Sequence, residues 1–164
     1  MSDQVAQVTS IRPNKEQFVE LASSPDEGPV VMLNLLKFKA RADGEGGSGA
    51  DAYKRYGEAA VKMVEEQGGR VLWQGRADQI LIGDPAQDWD SVVLVEYPSR
   101  KAFIDMVTTP KYEAAHEHRE AGLERTVLVA MTEQYRGLGA GVANVSRGAH
   151  DGEPHAHATG VIGS

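Results

Sequence analysis

Three residues near the middle of the chain have the types and spacing of a small chemical site. They are Tyr112, His116 and Arg119, in Pro110-Lys111-Tyr112-Glu113-Ala114-Ala115-His116-Glu117-His118-Arg119. Positions i, i+4 and i+7 share one face of an α-helix. That face offers a phenol, an imidazole that titrates near neutral pH, and a permanent cation with fork geometry. Together they could fix a carboxylate or other oxyanion and move a proton on it. With Glu113, Glu117 and Glu120 on its other sides, the segment reads equally as a charged surface helix.

Four more residues are candidates for contact with a substrate. Asn34 interrupts Val-Val-Met-Leu-Asn-Leu-Leu-Lys-Phe-Lys at 30–39, and a buried amide needs a partner from backbone, side chain, water or ligand. Trp73 has the flat amphipathic body that lines aromatic sites; Trp89 is of the same kind, and core packing is the common fate of both. Glu96 alternates with Val92 and Leu94, where an unpaired carboxyl would be raised in pKa and suit a general base. Tyr53, like Tyr56, is expected in the core with its hydroxyl at a boundary. Lys37 points to the opposite side from Asn34 and is expected to pair with Glu96 or to reach solvent.

The elements that must position these residues follow from periodicity. Asn14 and Gln17 form a capping signal for a short helix at 14–22, after a loose polar start over 1–12. The apolar run at 30–39, bounded by Gly28-Pro29, is a strand. A Gly-rich flexible connection over 40–50 leads to an amphipathic helix at 51–67, ended by Gly68-Gly69. Strands are predicted at 70–82, with a bulge or bend at Gly75, and at 89–97. Helices follow from the Ser99 cap and from Pro110 to about residue 121, then a strand at 125–131.

This order, strand-helix-strand-strand-helix-strand, is the split βαβ arrangement of an α+β, ferredoxin-like fold with a four-stranded antiparallel sheet. Its helices cover one face only, yet the strands are apolar on both: Val31, Leu33 and Leu35 on one side, Met32, Leu36 and Phe38 on the other. A second copy of the sheet would cover the bare face, so a homodimer is expected. Three regions result: an N-terminal extension over 1–27, the ferredoxin-like domain over 28–133, and a Gly- and His-rich tail over 134–164. The tail has no core of its own and is expected to lie across the partner as an arm.

The totals exclude several classes of function. With 164 residues and a net charge of -7, the chain is one ordinary domain without the basic surface of a nucleic-acid or anionic-membrane binder. No apolar stretch approaches the roughly 20 residues of a membrane span. The start Met-Ser-Asp-Gln carries no secretory signal and there is no cysteine, so a cytoplasmic protein without disulfides, thiolate chemistry or Cys-bound metal is expected. His116 and His118 point in different directions on a helix, and His150, His155 and His157 are a weak metal-binding composition. Phosphate-loop, dinucleotide, serine-hydrolase and zinc-protease motifs do not occur.

The segment Met32-Leu33-Asn34-Leu35-Leu36-Lys37-Phe38, the Tyr-rich helix, the Trp73 strand and the run from Pro110-Lys111-Tyr112 to Arg119 resemble the domain-of-unknown-function family numbered thirteen-thirty. The resemblance spans about residues 28–133. It implies the dimeric α/β-barrel superfamily, in which two ferredoxin-like sheets face each other. Relatives there include cofactor-free monooxygenases, lactone isomerases, haem enzymes and ligand-binding domains. Haem on His116 is conceivable from that superfamily alone. The expectation is a small cofactor-independent enzyme doing proton-transfer chemistry, of isomerase, lyase or monooxygenase type, on an aromatic or oxygenated compound. In it His116 would be acid/base, Tyr112 and Arg119 would hold an anion, and Asn34 and Trp73 would shape the site. The alternative is a non-catalytic dimeric ligand-binding or stress-associated protein.

Overall fold

The computed structural model describes residues 10–137. Its elements are α1 (Lys15–Ala22), β1 (Val30–Phe38), α2 (Gly49–Glu66), β2 (Arg70–Arg76), β3 (Ser91–Tyr97), α3 (Arg100–Val107), α4 (Pro110–Gly122) and β4 (Leu123–Met131). The strands form one antiparallel sheet in the order β2-β3-β1-β4, the ferredoxin-like α+β arrangement. The compact unit ends at Glu133, and residues 134–137 carry no helix or strand. The tail expected to act as an arm lies, from residue 138, outside the described residues.

Local signals explain the boundaries. Asn14 and Gln17 exchange side-chain and backbone hydrogen bonds in a capping box, and Ser48 and Asp51 do the same before α2. Ser99 and Thr109 cap α3 and α4, and Pro110 occupies the first turn of α4, where its missing N–H costs nothing.

Period-two alternation divides the sheet. On the helix side, Val30, Met32, Asn34 and Leu36 stand opposite Tyr97, Val95, Val93 and Ser91. Val30, Met32 and Tyr97 pack with Met63, Val64, Phe103 and Met106 in the main core. Leu36, Val93 and Leu123 make a second cluster with Phe38 and Tyr53 at its edge. The other side carries Leu33, Leu35, Val92, Leu94, Val127 and Val129, and among the described residues no helix is packed over it.

The structure corrects several expectations. The Gly-rich connection is fastened rather than loose: Gly49 N–H donates to the Lys39 carbonyl, Ala42 N–H to that of Gly47, and Asp43 N–H to that of Ala121. Gly49 and Gly122 pack so closely that a Cβ on Gly49 would stand 2.5 Å from the Gly122 carbonyl oxygen, so only glycine fits. The second strand stops at Arg76, short of 82, because its ladder with β3 runs out at Ser91; Leu81 and Ile82 are 83% and 93% exposed in the loop beyond. The third strand starts at Ser91, where its ladders with β1 and β2 both end; Trp89, just before it, is stacked by Arg125, whose guanidinium carbon stands 4.4 Å from its ring centroid. The register shift falls between Val71 and Trp73, not at Gly75. Gly75 instead makes room for the Trp73 ring, which a Cβ would meet at 2.2 Å. Lys37 pairs with Asp88 at 2.9 Å and Asp90 at 3.3 Å rather than with Glu96, which takes Arg70 at 3.4 Å. Ser10–Arg12, expected loose, are anchored as described next.

Candidate functional site

Between the helix side of the sheet and α1, α2 and α4 lies a cavity of about 1310 Å³. The i, i+4, i+7 face of α4 forms one wall: Tyr112, His116 and Arg119 are 8%, 5% and 5% exposed and all line it. A second wall comes from α2, where Tyr53 and Tyr56, three residues apart, share the inward stripe. The floor is Met32, Asn34, Val93, Val95, Thr126 and Leu128 from the three strands β1, β3 and β4. Residues 10–25 form the remaining side.

The aromatic groups form a connected series. The rings of Tyr53 and Tyr56 are 5.3 Å apart, those of Tyr56 and Tyr112 6.1 Å edge to face, and the Tyr112 and His116 rings 5.7 Å. The Tyr56 and Tyr112 hydroxyls share a 2.9 Å hydrogen bond. Burial pushes the phenols of Tyr53, Tyr56 and Tyr112 up, against the opposing pull of Arg119, so they are neutral donors at physiological pH.

Arg119 is the dominant charge. Its guanidinium donates to the Ile11 carbonyl at 2.9 Å and reaches the Thr126 hydroxyl at 3.5 Å; it also stands by the Tyr53 phenol and lies 5.9 Å from the Tyr56 ring centroid. All of these partners are neutral. Among the described residues no carboxylate pairs with it. A buried cation without a counter-charge is costly, so the cavity is electrostatically prepared for an anion.

His116 answers the same field from the other direction. Burial first, then Arg119 and Arg12, lower its pKa from 6.5 to about 4, with Glu120 and Glu113 opposing. The ring is therefore neutral at pH 7 and able to accept a proton. Its Nδ1 is buried without a hydrogen bond, 3.5 Å from Glu120 Oε1. Asn34 is half-buried on the floor; its Nδ2 makes only long contacts, to the Met32 and Val93 carbonyls at 3.4 and 3.3 Å.

Of the seven candidates from sequence, the structure brings Asn34, Tyr53, Tyr112, His116 and Arg119 to one cavity. Trp73 and Glu96 lie outside it. Trp73 pairs with Leu94, and Glu96 with Val31, so both project from the opposite side of the sheet. Trp73 is 52% exposed there. Tyr56, expected in the core with its hydroxyl at a boundary and not among the site candidates, lines the cavity as well; its spacing from Tyr53 could have signalled this. Arg12, which forks onto Glu113 at 2.7 and 3.1 Å and also bonds Glu120, had no sequence signal, because its partners lie a hundred residues away. His118 leaves the site altogether, its Nδ1 bonding Glu45 in a loop also held by Arg55. Among the described residues no group of His and acidic side chains is arranged to hold a metal ion, and no helix is long and apolar enough to cross a membrane.

The family model described as Domain of unknown function (DUF1330) matches residues 48–132. A crystal structure of a protein of unknown function from Rhodopseudomonas palustris is 37% identical, covers 78% of this chain and 99% of its own, and superposes with a TM-score of 0.74. This chain belongs to the DUF1330 family. The methylated form of the same R. palustris protein gives 38% identity and a TM-score of 0.74, over 79% of this chain and 98% of its own. A DABB family protein with a ferredoxin-like fold from Mesorhizobium loti is 16% identical over 66% of this chain and 100% of its own, with a TM-score of 0.46. No curated protein matches. For a DUF1330 chain the family model thus takes in Tyr53, Tyr56 and the whole of α4, while Arg12, α1 and Asn34 precede the matched segment.

Proposed function

We propose that this DUF1330 protein is a small cofactor-independent enzyme that transfers a proton on a small aromatic or oxygenated organic anion held in the cavity. The observation that carries this reading is Arg119, buried in the cavity wall without a carboxylate partner and next to a neutral imidazole. An incoming carboxylate, phenolate or enolate supplies the missing charge, and Arg119 meets it with two donors in fork geometry. The neutral phenols of Tyr53 and Tyr112 add hydrogen bonds, and the aromatic series and the apolar floor pack a planar body. His116 then takes a proton from carbon or hydroxyl, while Arg119 and the phenols stabilise the negative charge that develops. An anion beside His116 favours its charged form, so binding itself strengthens the base. Isomerisation, elimination and oxygenation of an acidic carbon all begin with this step.

The uncovered side of the sheet supports a homodimer closed through that face. Leu33, Leu35, Leu94, Val127 and Val129 form an apolar surface that a second copy would remove from water.

A non-catalytic ligand-binding protein is the second reading, favoured by His116 Nδ1, which has no hydrogen-bonded partner among the described residues to orient the ring. Assays over a panel of aromatic acids, phenols and lactones separate the two. The enzyme reading expects Arg119→Met to lose binding, and His116→Ala to keep binding while losing turnover. Turnover unchanged in His116→Ala removes that residue from the chemistry; binding without turnover across the panel favours the binder. Mass spectrometry of small molecules that co-purify would direct the panel.

A further inference from the structure

Glu120 is placed between two groups that compete for it. Its Oε1 accepts a hydrogen bond from Arg12 Nε, and the same oxygen stands 3.5 Å from the unbonded Nδ1 of His116. The remaining donors of Arg12 go to Glu113, about two turns earlier on α4. Arg12 thus ties the N-terminal segment to α4 across one side of the cavity. The apolar anchors of that segment are partly buried: Ile11 and Leu21 pack at the edges of the two core clusters. α1 has no buried residue and packs mainly against α3, and Arg119 accounts for the tie to the Ile11 carbonyl. An element held by exposed ion pairs and partly buried apolar side chains opens more readily than the core it covers.

We propose that residues 10–25 are a strap over the cavity, and that its opening passes Glu120 from Arg12 to His116, making Glu120 the positioning residue of the base. With the strap closed, Arg12 occupies Oε1 and His116 Nδ1 has no acceptor. With the strap lifted, Glu120 is freed of its cation, and a small rotation brings Oε1 within hydrogen-bond reach of Nδ1. The bond would fix the ring and leave Nε2 as the basic nitrogen, as a carboxylate does for a catalytic imidazole. Arg119 is released from the Ile11 carbonyl in the same motion, so a donor to the anion and the orientation of the base become available together. The charged and titratable groups that face His116 are Arg119, Glu113, Glu120 and Tyr112 on α4, Arg12 on the strap, and Tyr56 behind Tyr112 on α2. Only Arg12 among them leaves when the strap opens.

This proposal rests on the reading of His116 as the base, but its test does not require turnover. The His116 ring is titrated by NMR in the full chain, alone and with Arg12→Gln, Glu120→Gln and both. Arg12→Gln is expected to raise the His116 pKa by at least one unit, a tenfold change in its proton affinity. In the Glu120→Gln background the same change should move it by less than half as much. An equal rise in both backgrounds would mean that Arg12 acts only as a distant charge and would overturn the hand-over; no rise in either would do the same. Hydrogen exchange reports the strap: Arg12→Gln should speed exchange of the α1 amides at least tenfold while β1 and β3 keep wild-type rates. Unchanged α1 exchange overturns the strap. Coupled titration in a protein that turns over nothing would sustain the device and sink the enzyme instead.

Discussion

The two sides of the β-sheet differ by one residue of register and hold opposite kinds of surface. Asn34 faces the cavity, which Arg119, His116 and the phenols of Tyr53, Tyr56, Tyr97 and Tyr112 also line. Leu33 and Leu35, its neighbours in sequence, face outward among Leu94, Val92, Val127 and Val129. The helix side gathers groups that are costly to bury, which is the basis of the ligand site proposed above. The outer side carries groups that are costly to leave wet, which is the basis of the proposed homodimer. In the proposed scheme a single strand would serve binding and association independently, because alternate side chains face opposite sides of the sheet.

The separation can be broken from either side. The largest effect is expected from Leu33→Asp, opposite Leu94 and Val129 on the outer face. In a two-fold dimer each copy would bury a new carboxylate, so the dimer should weaken about a thousandfold or more. Sedimentation at micromolar concentration reads it, and a wild-type protein that sediments as a clean monomer would sink the dimer itself. Ligand binding in the cavity should survive the same change if the two faces are independent.

On the inner face, Arg119→Met should cost anion binding about 3–4 kcal/mol, several hundredfold, by removing a buried charge-assisted fork. Stability should move little or rise, since a buried cation without a counter-charge is replaced by an apolar side chain of similar length. Isothermal titration and denaturant unfolding give the two numbers. A stability loss beyond about 2 kcal/mol would make Arg119 a strut between Ile11 and Thr126 rather than an anion site.

The pH response belongs to the inner face as well. Between pH 6.5 and about 4, His116 in the unfolded chain binds a proton that the folded chain refuses. Acid therefore favours unfolding in that window, and His116 should withdraw up to roughly 3 kcal/mol of stability as pH falls through it. His116→Asn should flatten this part of the pH–stability curve, and a curve of unchanged slope would mean that the ring is not held neutral. The smallest change is Tyr56→Phe, which breaks the 2.9 Å bond between phenols and should cost about 1 kcal/mol with no effect on the dimer.

The sequence by itself determined the order of the elements, the caps at Asn14 and Ser99, the Pro110 start of α4 and the two faces of β1, though not the Ser48 cap of α2. Periodicity and capping act between residues a few positions apart, and the capping box at Asn14 and the shared face of Tyr112, His116 and Arg119 are of that kind. What only the tertiary structure decided is which side each strand residue takes and what stands across from it. Trp73 and Glu96 read as site residues by type, yet a register shift and strand pairing place them on the outer face. Arg12 read as part of a loose terminus, yet Glu113 and Glu120 meet it from more than a hundred residues away. Long-range charge pairing leaves no local pattern, because it depends on where folding brings the helix and not on the residues beside it.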